Sequence, residues 1–194
     1  MRVTTLLATL LAGSAAIAAS PSPRGLGPNL NAGNHYGAPT PPWGPGAHPG
    51  WYFGKHPEAH PGLTCLSGLI CGILKLLPLG LQCPKTPPGT TPSTPSDGYT
   101  QTFSNLSGAT QAGDYMTFGL VDTVADCKAM CNTVPGCGFV NTYHDVNGKN
   151  GSPLLTCSLF RNCHTAADAT NTGGQTQPNG SVNHIANSDG WCKA

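Results

Sequence analysis

Along residues 99–194 apolar and polar positions alternate in short runs, and most runs end in a turn signal. Tyr99–Leu106 alternates aromatic and polar side chains and predicts a strand, and Asp114–Phe118 predicts a second. The period then changes. Val124, Cys127, Cys131 and Val134 recur at three- and four-residue spacing, so a helix of about ten residues is expected, with one apolar face. Thr123 is its N-cap, Asp126 three positions later completes a capping box of the aspartate type, and Pro135-Gly136 stops it. Cys127 and Cys131 then sit one turn apart on the buried face. Alternation returns over Cys137–His144, a strand. Asp145–Pro153 holds two Asn-Gly pairs and reads as a turn, and Leu154–Phe160 is the other half of the hairpin. The remainder reads as loops with one or two short strands. The fold class expected is a small α+β domain, one helix packed on an antiparallel sheet.

The pattern upstream is different. Met1–Ala18 has a basic start at Arg2, an apolar run over Leu6–Ala12 and a small-residue cleavage site at Ala16-Ile17-Ala18, the layout of a secretory signal peptide. It is too diluted by Ala and Gly, and too soon followed by Pro21 and Pro23, to anchor in a bilayer. Residues 19–62 hold ten Pro and nine Gly and few aliphatic side chains, which predicts a disordered Pro/Gly/His-rich arm. Residues 63–83 form a Leu-rich apolar segment carrying Cys65, Cys71 and Cys83, broken by Gly72, Pro78 and Gly80. Residues 84–98 are a Pro/Thr/Ser linker of the kind found in extended spacers.

Composition narrows the function. The chain has 194 residues with 26 Gly and 19 Pro, close to double the ~12% of an ordinary protein. Only 9% of residues are charged and the net charge is +1, so nucleic acid finds no basic footprint. No glycine repeat of three supports a collagen helix, and Glu58 is the only Glu, which removes the flanks a coiled coil needs. With the signal removed, no membrane span is expected. A secreted chain meets oxidising conditions, so its nine cysteines are read as disulfide partners. Sequons at Asn105, Asn150 and Asn179 become candidate glycosylation sites.

Catalytic patterns are missing. There is no G-x-S-x-G elbow, HExxH helix or paired-carboxylate motif, and no cysteine lies in a protease-like signature, so no catalytic residue is assigned and the chain is read as a non-enzyme. Asp145–Gly151 is oxygen-rich, but Lys149 and Asn150 occupy positions a calcium loop gives to a ligand and to glycine, and a hairpin turn accounts for the Asn-Gly pairs. His35, His48, His56 and His60 either hold a late transition metal weakly or are part of a solvated spacer, and the spacer is preferred; no metal site and no cofactor are assigned. Aromatic groups are the best handle on binding: Trp43, Trp51, Tyr52 and Phe53 in the arm, and Tyr143, His144 and Trp191 in the domain as candidate ligand-binding residues. In a domain this small, Tyr143 and Trp191 are expected to fill core or edge positions more often than to meet a ligand.

Asp126-Cys127-x-x-x-Cys131, Pro135-Gly136-Cys137-x-Phe139 and Thr156-Cys157-Ser158-Leu159 together resemble the PAN/apple module. The run Asn141–Leu159, with its Asn147-Gly148 and Asn150-Gly151 pairs, and His164-Thr165-Ala166-Ala167-Asp168 further resemble the fruit-body-specific secreted proteins of mushrooms over most of 99–194. The PAN/apple resemblance implies disulfides Cys127–Cys157 and Cys131–Cys137. Apple domains often pair a cysteine near the module start with one near its end, and here none precedes Cys127 within the domain. Cys163 and Cys192 are accordingly paired with each other. Six cysteines allow fifteen connectivities, and this one leans on the resemblance. The same resemblance implies a module that binds rather than catalyses. A secreted, non-catalytic interaction module is therefore expected, extracellular or in the cell wall, with a glycan or an extracellular protein as partner. The rival is a structural wall component assembled through the Leu/Cys segment, and an enzyme of unrecognised type ranks third.

Nine cysteines cannot all pair within one chain, so with the six of the domain self-sufficient the odd thiol falls among Cys65, Cys71 and Cys83. An apolar segment that cannot reach a core finds another chain, and its thiol seals the contact. Disulfide-linked homodimers dependent on residues 63–83 are the expected result on non-reducing electrophoresis. A monomer with and without that segment, carrying one alkylatable thiol after unfolding, would instead mean a buried, inert cysteine.

Overall fold

The computed structural model describes residues 32–54 and 97–194; the signal peptide, the Leu/Cys segment and nearly all of the linker lie outside the described residues. Among the described residues the strands are β1 (Tyr52–Phe53), β2 (Tyr99–Leu106), β3 (Tyr115–Val121), β4 (Phe139–Val146), β5 (Leu155–Phe160), β6 (Gly173–Thr176) and β7 (Val182–Lys193), with one α-helix, α1 (Val124–Thr133). They form one sheet in the order β1-β3-β5-β4-β7-β2, with β6 alongside β7. Every pairing is antiparallel except β1 on β3, which is parallel. The coarse expectation of one helix on a mostly antiparallel, disulfide-rich sheet describes this structure.

The helix follows its local signals closely. The Thr123 hydroxyl accepts from the Asp126 amide at 3.1 Å and donates to the Asp126 carboxylate at 2.6 Å, a reciprocal cap. Val134 takes the C-cap and Gly136 turns the chain with φ +80°. The buried face differs from the expected one: Val124 is half-buried, and Met130 joins Cys127 and Cys131 in the core. β2 occupies the expected residues. β3 runs three residues past Phe118, to Val121, because all its positions are buried and a two-sided strand shows no alternation.

β7 is the main departure at the C-terminus. The sequence suggests loops with one or two short strands there, and beside the short β6 the chain builds a strand of twelve residues between β4 and β2. Its inward positions include Asn183, Ser188 and Gly190, which hide the hydrophobic signal. Asn187 (φ +51°) lies near Asn105 (φ +53°) of β2, and its side-chain amide donates to the Asn105 side-chain Oδ1 at 3.0 Å. Asparagine is among the residues that accept this backbone region, and bulges accommodate the register shifts here.

The second departure is at the other end of the chain. Residues 32–54 belong to the segment whose composition predicts disorder, yet they form a strap along the outer edge of β3. Tyr52 and Phe53 pair with Leu120 and Val121, and Trp51, Tyr52 and Phe53 are all buried. The physical reason is local: three consecutive aromatics supply the apolar area that the surrounding Pro and Gly lack.

Both faces of the sheet are covered. On one, α1 and Trp51 pack over Val140, Cys157 and Leu159; on the other, Phe103, Tyr115, Phe118, Phe139 and Phe160 form an aromatic layer. Residues 108–110 lie near Tyr143, anchored where Ala109 and Asn171 exchange backbone hydrogen bonds of 2.8 and 3.0 Å. The hairpin turn closes on an ion pair, Lys149 Nζ to Asp145 at 3.0 Å, with the Asp145 side chain 4% exposed and its other oxygen accepting from Asn183. Among the described residues no helix is long and apolar enough to cross a membrane.

Three disulfides tie these layers: Cys127–Cys157 joins helix to sheet, Cys131–Cys137 closes the helix-to-strand corner, and Cys163–Cys192 fastens the loop after β5 to β7. The first two are the pairs the resemblance implies, and the third is the pair expected of the two cysteines left over. Closing a loop of 30 residues restrains the unfolded chain by roughly 3–4 kcal/mol. Cys127→Ser is thus expected to lower unfolding free energy by about that amount and to cut secreted yield. Denaturant titration measures the first. A change below about 1 kcal/mol, or a peptide map linking Cys127 to Cys131, would contradict it.

Candidate functional site

The strap makes one wall of a groove that no single stretch of sequence announces. A 3-10 segment, Ala32–Gly37, opens it and places His35 (φ +52°) and Tyr36 (φ +53°) in the left-handed region. Such a backbone is costly for residues with side chains and persists where neighbours fix it. Here His35 Nδ1–H donates to the Met116 carbonyl at 2.8 Å, and its ring stacks on Tyr115 at 5.5 Å. Because a carbonyl only accepts, this bond selects the tautomer protonated at Nδ1. Tyr36 leans on Trp51 with ring centroids 5.5 Å apart, and partial burial pushes its phenol upward from the ordinary value.

Further along, Trp43 lies parallel to Phe160 at 6.2 Å and edge-on to Tyr115 at 5.6 Å. The Tyr115 phenol donates to the Ala38 carbonyl at 2.8 Å, and its burial raises its pKa well above the normal range. The space between is a shallow groove of about 470 Å³, bounded by His35, Pro39, Pro41 and Trp43 of the strap and by Gln111 and Tyr115 of the domain. Rigid rings and prolines line it, Gln111 places an exposed side-chain amide at its rim, and among the described residues no carboxylate or ammonium group lines it. This lining suits a neutral ligand with a flat apolar face and hydroxyl or amide edges.

A clamp holds the domain wall. The Gln111 backbone N–H donates to the Asp168 backbone carbonyl at 2.9 Å. Between Asp168 and Asp114 sits His164, its Nε2 2.9 Å from Asp114 Oδ1 and its Nδ1 3.3 Å from Asp168 Oδ2. The ring is set edge-on against Phe139 and Phe160, at 5.2 and 5.1 Å. Burial pushes the Asp114 carboxyl up, but the Asn162 amide, donating at 2.7 Å, and His164 more than offset this and hold it below its usual value. Asp168 is also held low, first by the Thr165 amide and then by His164.

The domain residues singled out as candidate ligand contacts are not brought together. Tyr143 is 1% exposed and packs with Ala109 and Ile185, so it is a core residue. His144, next along β4, points to the opposite face and is half-buried. Trp191 lies under the Lys128 ammonium, 3.5 Å above its ring, and Lys128 is in turn paired with Asp97 at 2.7 Å. Of the arm aromatics Trp51, Tyr52 and Phe53 are buried, while half-buried Trp43 faces the groove. Tyr115 and Gln111 carried no sequence signal, since the groove exists only through the strap. His35 is engaged in packing, His48 is exposed, and His56 and His60 lie outside the described residues. Among the described residues no cluster of His, Cys, Asp or Glu could hold a metal ion. Asn105 and Asn179 are exposed, and Asn150 falls in the 3-10 turn Lys149–Gly151. Comparison with protein families, with characterised proteins and with solved structures gives no match.

The clamp makes the groove wall sensitive to acid. The carboxyls of Asp114 and Asp168 lie lower in the folded than in the unfolded state. Their ionised forms therefore stabilise the fold above the unfolded carboxylate value of ~3.9, and this contribution is lost as pH falls through the lower, folded pKa. Asp114→Asn should be less stable than the parent at pH 7 and should lose less on going to about pH 3. Thermal melts at both values check it, and parallel losses in the two proteins would contradict the assignment.

Proposed function

We propose that this chain is a secreted, non-catalytic interaction module of PAN/apple-like architecture that binds a neutral carbohydrate surface, extracellular or in a cell wall. The observation that carries the reading is the groove between strap and domain, where Trp43, Tyr115 and His35 offer ring faces and Gln111 an amide. Sugar rings stack on aromatic faces through their C–H surfaces and present hydroxyls to amides at the edge, and an uncharged lining fits an uncharged glycan. Secretion is supported by the leader-like Met1–Ala18 and by three disulfides in a small domain. The architecture is supported by a helix bearing Cys127 and Cys131 over an antiparallel sheet.

One observation favours the structural reading as a second role. All six domain cysteines are paired, so Cys65, Cys71 and Cys83 are the cysteines left for a bond between chains.

Screening the mature protein against immobilised glycans and cell-wall fractions tests the proposal. Saturable binding is expected, and Trp43→Ala should weaken it roughly 10- to 100-fold while the three disulfides still map correctly. Absence of saturable binding, or equal binding by the variant, would reject the groove as the site.

A further inference from the structure

The strap is covalently joined to the domain through residues 55–96, yet it is held as a bound peptide would be. Its backbone pairs with the outer edge of β3: the Gly50 amide donates to the Phe118 carbonyl at 3.0 Å, and the Trp51 carbonyl accepts from the Leu120 amide at 3.0 Å. Its side chains fill shaped places. Trp51, 1% exposed, lies against Gly119, where any Cβ would overlap the indole, and its N–H points at Met130 Sδ at 2.8 Å. The Tyr52 phenol donates to the Asp122 carboxylate at 2.7 Å. In the other direction the Tyr115 phenol reaches out to the Ala38 carbonyl. Main-chain pairing for affinity with pockets for chosen side chains is how an extended peptide adds to a sheet edge.

The geometry points to the outer edge of β3 as an acceptor site for an extended aromatic peptide, filled in cis by residues 35–53 and able to take the same segment from a second copy. The contacts are the same in either case, as in any exchange of an identical element between protomers. What differs is concentration. Residues 55–98 join Gly54 to Tyr99, so the strap meets its own domain in an intramolecular step with which a second copy must compete. Intact chains at micromolar concentration therefore keep their own strap, and severing the connection turns the site into an ordinary bimolecular one.

A protease recognition sequence inserted between residues 84 and 96 of the full chain tests it. After cleavage the two fragments should co-elute without a covalent link, and a dye-labelled synthetic peptide of residues 32–54 should exchange into the complex. The same peptide carrying Trp51→Ala should enter about 100-fold more weakly. In the uncut chain Gly119→Ala should expose the strap to proteolysis while the three disulfides persist. Fragments that separate on cutting, a persisting complex that admits no labelled peptide, a Trp51→Ala peptide that enters equally well, or an unchanged strap in Gly119→Ala would each overturn the assignment.

Discussion

Strand β3 has no polar face, and much of the molecule is arranged around covering it. All of Tyr115–Val121 is buried, so this strand cannot sit as an ordinary sheet edge with one side in water. Its helix-side residues need α1, its other side needs the aromatic layer of Phe139 and Phe160, and its outer hydrogen-bonding groups need a partner. The strap supplies that partner. An exposed, flat, apolar edge is an aggregation template, so residues 32–54 protect the domain as well as complete it. Gly119 is the point on which this turns, because only a residue without a side chain lets Trp51 lie against the strand.

The elements set by local chemistry were legible. A threonine cap with its aspartate, a Pro-Gly stop and two Asn-Gly pairs act within a few residues, so α1 and the β4–β5 hairpin could be read directly. β7 was not, because its place is fixed by neighbours. The buried Asn183 bonds to Asp145, and Ser188 accepts from the buried Asn141 side chain, so polar residues do the inward packing that Val or Ile usually performs. Asn141 also accepts from the Thr110 amide, which joins the loop over that face to the sheet. Such satisfied polar interiors leave no periodic trace.

The strap shows the opposite failure. Its Pro and Gly content describes a segment that cannot fold by itself, and that remains true of it. What composition does not contain is the complementary edge elsewhere in the chain. Trp43 and His35 could be noted as aromatic or imidazole groups, but their meeting with Tyr115 and Gln111 rests on pairing between residues far apart in sequence. Tyr143 takes the core place preferred for it over a ligand contact, and the loop near Ala109 is what covers it.

The groove is therefore a composite whose two walls are held by unrelated devices. The strap wall depends on backbone pairing and buried aromatic contacts along β3. The domain wall depends on the Gln111 backbone N–H reaching the Asp168 backbone carbonyl and on His164 set between Asp168 and Asp114. Both walls meet at Tyr115, which follows Asp114 in sequence, stacks on His35 and donates to Ala38. A disturbance of either device thus reaches the same ring, and the spacing across the groove is set by where Tyr115 comes to rest.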